Sequence, residues 1–198
     1  MADNALECRL ESRPDVLDED EILVAAACED AQAAAKLYDK YYDAILGYIY
    51  HATLDPTTTE DLTSNVFLAA FRHLGRYRWK PIHFRAWLYR IATNEIRMHY
   101  RKARRIGAFR LEAGSRGPDA APPTSDRSAA AEEYRLLHQA LLQLKLKYRT
   151  TIMLRYFENR TIAEISEVTG RKQGTVRCQL HRGLAQLRSI LTRQGLLP

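Results

Sequence analysis

The sequence predicts an all-α chain of two small helical domains joined by a flexible linker, the C-terminal domain carrying a helix-turn-helix. Three observations carry this expectation. Apolar residues recur at three- and four-residue steps through most of the chain, the spacing that lines up one face of a helix. Residues 106–131 lose that spacing and hold Gly107, Gly114, Gly117, Pro118, Pro122 and Pro123 among several Ser and Ala, a composition suited to a flexible connection. Thr161, Glu164 and Gly170 punctuate the C-terminal part as a cap, its reciprocal partner and a turn. The division expected is a mobile acidic tail over 1–17, a first domain over 18–105, the linker over 106–131 and a second domain over 132–194.

In chain order, Asp18, Glu19, Asp20 and Glu21 suit a helix start, where the macrodipole favours negative charge, and Leu23, Ala26 and Ala27 give that helix a short apolar face. The next helix has the fuller stripe: Ala34, Leu37, Tyr38, Tyr41, Ile45, Tyr48, Ile49 and Ala52. Asp55-Pro56 breaks it, and Thr57 to Thr59 offer caps to a third helix with Leu62, Val66, Ala69 and Ala70 inward and Phe67 and Phe71 beside them. Gly75 and Pro81 mark a loop holding Arg76, Tyr77, Arg78, Trp79 and Lys80; a helix from about Phe84 to Arg105 follows, with Trp87, Leu88, Ile91 and Ala92 inward. After the linker, Tyr134, Leu137, Leu141 and Leu144 define one helix and Tyr148 to Phe157 a second.

The helix-turn-helix closes the chain. Ile162, Ile165 and Val168 line its first helix, Gly170 makes the turn, and Val176, Leu180, Leu184, Leu187 and Leu191 form the inner stripe of its second. Lys172, Gln173, Thr175, Arg177, Gln179 and Arg182 occupy the opposite face, donors of the kind that meet base edges and phosphates in a major groove.

Charge distribution supports nucleic acid as the partner. The net charge is +6 and the pI about 9.3. Residues 1–30 carry ten acidic and two basic side chains, residues 71–110 twelve basic and one acidic, and residues 171–193 six basic and none acidic. Two separate positive stretches imply two contacts with nucleic acid. In the first, aromatic residues alternate with cations, which suits unpaired bases: rings stack on them while charges follow the phosphates. A linker of this length spans about 25–30 Å on average and about 85 Å at full stretch, enough to place two DNA contacts between one and two duplex turns apart.

Other classes find little support. Cys8, Cys28 and Cys178 are odd in number and far apart, against a disulfide framework or zinc site and for a reducing compartment. No signal peptide or membrane-spanning apolar run is apparent, so the expectation is a cytoplasmic protein that does not insert into a membrane. No H-E-x-x-H, phosphate-binding glycine loop, G-x-S-x-G or clustered Asp/Glu/His set points to catalysis or to a cofactor, and the six histidines are scattered.

Three passages carry a resemblance: EDLTSNVFLAAF, FRAWLYRIATNEIRMHYRKARR and YRTTIMLRYFENRTIAEISEVTGRKQGTVRCQLHRGLAQLR. In this order, with a linker between the second and third, they resemble a bacterial RNA polymerase sigma factor of the extracytoplasmic-function group, over roughly Asp18 to Leu191. The resemblance implies a first domain (sigma domain 2) that binds core polymerase and opens the minus-10 element, and a second (sigma domain 4) that reads minus-35 duplex. It implies core-polymerase contacts at Asp61, Leu62, Asn65, Val66 and Phe67. It implies minus-10 contacts at Arg76, Tyr77, Trp79, Lys80, His83, Asn94, Arg97 and Arg101, and minus-35 contacts at Arg171, Lys172, Thr175, Arg177, Cys178, Gln179 and Arg182. The implied partners are core RNA polymerase, through its beta-prime clamp and beta flap, promoter DNA and an anti-sigma factor. The chain itself would be no enzyme. Two other classes stay open on sequence: a stand-alone helix-turn-helix regulator, separable by co-purification with core polymerase, and a nucleic-acid enzyme, separable by a metal-dependent cleavage assay.

Overall fold

The computed structural model describes residues 19–77, 83–112 and 129–196, and every regular element among them is helical. None of these helices is long and apolar enough to cross a membrane. The N-terminal half contains α1 (Glu19–Ala26), α2 (Ala31–Thr53), α3 (Pro56–His73) and α4 (Phe84–Glu112). The C-terminal half contains α5 (Ala129–Gln143), α6 (Leu146–Ile152), α7 (Ile162–Thr169) and α8 (Gln173–Arg193).

Local chemistry explains where these helices begin and end. The Asp30 carboxylate caps α2 by accepting the Gln32 N–H at 2.8 Å, and Leu54 ends it in the left-handed region at φ 55°. The cap of α3 is Asp55, not one of the threonines that follow: its carboxylate accepts the Thr58 N–H at 2.8 Å, and Pro56 fills a first-turn position where no N–H is needed. Thr59 instead turns inward, donating its hydroxyl to the Asp55 carbonyl at 2.7 Å. In α1 the inward residues are Val24 and Asp20 rather than Ala26, because Asp20 accepts from the Tyr41 hydroxyl and pairs with Lys40. Burial and this hydrogen bond push the Tyr41 phenol well above its usual range.

Helices α2, α3 and α4 enclose Leu37, Ile45, Tyr48, Ile49, Val66, Leu88 and Ala92. The α4 helix runs seven residues beyond its expected end at Arg105. In the C-terminal half, α6 widens into a π-type turn over Met153–Phe157 before the chain reverses. Thr161 and Glu164 cap α7 reciprocally: Thr161 Oγ1 accepts the Glu164 N–H at 3.2 Å, and Glu164 Oε2 accepts the Thr161 N–H at 2.8 Å. Gly170 makes the following turn at φ 66°. The inner stripe of α8 is Val176, Leu180, Gly183, Leu187 and Ile190. Leu184, expected inside, is 37% exposed. Gly183 takes the inward position because a Cβ there would lie 3.0 Å from Ile152 Cδ1 and 3.1 Å from Tyr148 Cβ, so α6 and α8 approach closely only over a glycine.

The two halves pack directly on one another. Tyr89 of α4 donates to Glu158 at 2.5 Å, and its ring lies 5.3 Å from the Arg160 guanidinium. Arg149 of α6 lies 4.4 Å from the ring of Tyr100 on α4. His51 of α2 meets Tyr134 and His138 of α5. The buried apolar residues of both halves form one continuous core.

Candidate nucleic-acid interface

The DNA-reading face expected at the C-terminus is assembled at the surface. Arg171, Lys172, Thr175, Arg177, Cys178 and Arg182 are exposed and Gln179 half-buried. The face is held out by what lies behind it: Val176 and Leu180 are buried, and the Ser166 hydroxyl donates to the Arg171 carbonyl at 2.6 Å, fastening the turn to α7. The Lys172 side chain makes no cap hydrogen bond at the start of α8, which leaves the positive end of the helix dipole suited to a phosphate. A shallow groove beside it is lined by Lys147, Tyr148, Gly174, Thr175, Cys178, Gln179 and Arg182. Lys147, whose ammonium sits 4.9 Å from the Tyr148 ring, is a cation that sequence reasoning missed. Its only sequence signal was a lysine in α6, which periodicity alone cannot bring next to α8.

The N-terminal basic surface is built on α4. Asn94, Arg97 and Arg101 are exposed and line one open groove with Ile91, Glu95 and Met98; Arg97 donates to Asn94 at 3.4 Å. Burial raises the Glu95 carboxyl above its usual range. Arg76 and His83 are exposed at the two sides of the loop. Tyr77 is half-buried, its ring 4.8 Å from Trp87 and 5.8 Å from Phe84. It is therefore packed into this aromatic cluster. Trp79 and Lys80 lie outside the described residues.

On α3 the expected partner-binding residues divide. Asp61 and Asn65 are exposed, whereas Leu62, Val66 and Phe67 are buried and support the helix from below. The apolar surface beside Asp61 and Asn65 comes from Leu68, 60% exposed, and from Tyr38 of α2, expected in the inner stripe but 37% exposed and 4.6 Å from the Phe67 ring. The spacing 61, 65, 68 marks a single face of the helix. Among the described residues, no group of three or more His, Cys, Asp or Glu side chains is placed to hold a metal ion.

A capped helix-turn-helix with a cationic outer face, attached to a second helical unit with its own basic surface, defines a DNA-binding transcription protein of two domains. Comparison with known proteins narrows this. Sigma-70 region 2 matches residues 37–106 and sigma-70 region 4 matches residues 134–187. The chain is 31% identical to the ECF RNA polymerase sigma factor SigL of Mycobacterium tuberculosis, over 86% of this chain and 95% of SigL. It is 30% identical to the ECF RNA polymerase sigma factor BldN of Streptomyces coelicolor, over 86% of this chain but 65% of BldN. It is 31% identical to the ECF RNA polymerase sigma factor SigW of Bacillus subtilis, over 82% and 90% of the two chains. Among solved structures, CnrH in complex with the cytosolic domain of CnrY superposes with a TM-score of 0.68 at 24% identity, covering 89% of this chain and 99% of that one. The sigma factor RpoE of Bartonella quintana, in complex with the anti-sigma factor NepR, superposes with a TM-score of 0.61 at 19% identity, over 80% and 96%. The chain belongs to the extracytoplasmic-function RNA polymerase sigma factors, the sigma-70-type proteins that direct promoter-specific transcription initiation.

Proposed function

We propose that α8 reads the minus-35 element as duplex while α4 and the loop before it hold the minus-10 element once its strands part. In this reading core RNA polymerase docks on the α3 face formed by Asp61, Asn65 and Leu68 together with Tyr38. The observation that carries it is the α8 surface: its cationic residues are exposed while α7 behind them is packed against α4. Phosphate contacts from Lys172, Arg182 and Lys147 would set the register, and Arg177 and Gln179 would contribute base discrimination. At the other end, unstacking a base costs a few kcal/mol. Stacking on an aromatic side chain returns about 1–3 kcal/mol. Strand opening can thus be close to neutral without a nucleotide-driven step. Tyr77 is committed to Trp87 and Phe84, so it is not the ring that would stack on an extruded base.

The polymerase supplies the chemistry of RNA synthesis, the sigma chain itself is no enzyme, and its place of work is the cytoplasm with that polymerase. The complexes of CnrH and RpoE suggest that a regulatory anti-sigma protein binds this chain as well. The deciding experiment is transcription by purified core polymerase plus this protein on templates with randomised upstream DNA. The expected result is an enriched pair of short motifs at constant spacing. Failure of the purified protein to associate with core polymerase at any salt concentration would overturn the reading.

A further inference from the structure

The interface between the two halves contains polar groups that a simple apolar seam would not need. His138 is fully buried, and its Nδ1 donates to the Tyr134 carbonyl at 2.9 Å. Its remaining nitrogen, Nε2, faces His51 Nδ1 at 3.2 Å, and the rings lie 5.3 Å apart. The Tyr134 hydroxyl also reaches His51 Nδ1, at 2.8 Å, and Phe157 packs on both imidazoles. With both rings neutral, one proton between the facing nitrogens makes a satisfied hydrogen bond. With both rings protonated, two N–H groups and two positive charges face each other.

The other titratable groups of the interface do not offset that charge. Arg149 of α6 is 3% exposed, its Nε has no hydrogen-bond partner among the described residues, and it meets Tyr100 of α4 and the field of Tyr48 of α2 rather than a carboxylate. Glu158 and Arg160 are engaged with Tyr89 of α4, and burial raises the Glu158 carboxyl above its usual range. An extra positive charge at His51–His138 therefore enters a seam that already holds a buried guanidinium facing tyrosines.

We propose that the His51–His138 contact is an acid-released latch that holds the two DNA-binding halves of this chain together. Closure matters for the reading above, on which this inference rests for its consequence. Elements centred at minus-35 and minus-10 lie 25 base pairs apart by definition, about 85 Å along straight duplex at 3.4 Å per pair. A compact chain of this size has a radius of gyration of about 16 Å, hence a diameter of about 40 Å. The latched form cannot grip both elements at once, so the latch sets how much protein is ready to bridge them.

The direction follows from linkage. Burial, and for His51 also the neighbouring His138, lower both imidazoles below their ordinary value near 6.5 in the closed form; the Tyr134 carbonyl opposes this only at His138. Groups lowered in this way favour closure above the open-state value and lose that advantage as pH falls through about 6.5. Each proton taken up on opening shifts the closed-to-open ratio by up to about tenfold per pH unit, so two give up to about a hundredfold.

The test is small-angle X-ray scattering of the full chain between pH 7.5 and 5.5, with helicity followed by circular dichroism. The expected result is a rise in the radius of gyration at constant helicity, absent in the apolar double variant His51→Phe/His138→Leu. Should that variant fold poorly, His51→Gln alone, at a half-buried position, should flatten the response to at most one proton. A constant radius in the wild type, a loss of helicity over the same range, or an undiminished rise in the variants would each overturn the latch. The measurement uses neither DNA nor polymerase, so its failure leaves the promoter reading standing, and failure in transcription leaves the latch standing.

Discussion

Helices α3 and α8 were both expected to meet a partner, and they place the expected residues differently. At α8 and the turn before it six of the seven residues are exposed and the seventh is half-buried, whereas α3 exposes Asp61 and Asn65 and buries Leu62, Val66 and Phe67. The difference lies in where the two sets fall around the helix axis. Five of the minus-35 set, Lys172, Thr175, Arg177, Gln179 and Arg182, also stand opposite an apolar stripe, so helical geometry keeps them to one side, whereas Arg171 and Cys178 come from the resemblance alone. The α3 set follows a contiguous motif, and consecutive helical residues step about 100° around the axis, so a contiguous run mixes outer contacts with their inner supports.

The largest expected effect separates support from contact. Leu62→Ala should cost about 2–5 kcal/mol of folding stability by urea denaturation, through lost burial and a residual cavity. Leu68→Ala, on the outer face, should stay within about 0.5 kcal/mol of wild type while weakening binding to core polymerase in a pull-down. Equal stability losses for the two would erase the distinction. Next in size, Arg177→Ala should weaken minus-35 duplex binding by about 1–3 kcal/mol if it reads a base, with thermal stability unchanged; unaltered affinity would remove Arg177 from the reading face. The smallest is Thr161→Ala, which should destabilise the chain by about 1 kcal/mol through loss of the α7 cap, seen as a lower denaturation midpoint with the same slope.

Much of the fold was legible because it is written in nearest-neighbour terms. The stripe Leu37, Tyr41, Ile45, Tyr48, the reciprocal cap Thr161–Glu164 and the Gly170 turn each involve residues within a few positions of one another. Departures came where two elements compete for one place. Leu184 fits the periodicity as well as any leucine in α8, but the approach of Tyr148 and Ile152 assigns the inner position to Gly183. Asp20 reads as a charge at a helix start until Tyr41 and Lys40 draw it inward. The histidines were the least legible: His51 and His138 stand 87 residues apart, and nothing local in either neighbourhood marks them as partners. The same holds for Tyr89 with Glu158 and for Arg149 with Tyr100, so the seam between the halves was invisible while the halves themselves were not.

The length of α4 has a mechanical consequence. Because the helix persists to Glu112 and α5 begins at Ala129, the connecting stretch is residues 113–128, sixteen residues with a contour of about 55 Å when taut. Unwinding residues 106–112 would pay out roughly another 13 Å, since each residue lengthens from 1.5 Å of helical rise to about 3.4 Å. If both halves bind DNA as proposed, unravelling the last two turns of α4 would widen the separation of sites that one molecule can straddle.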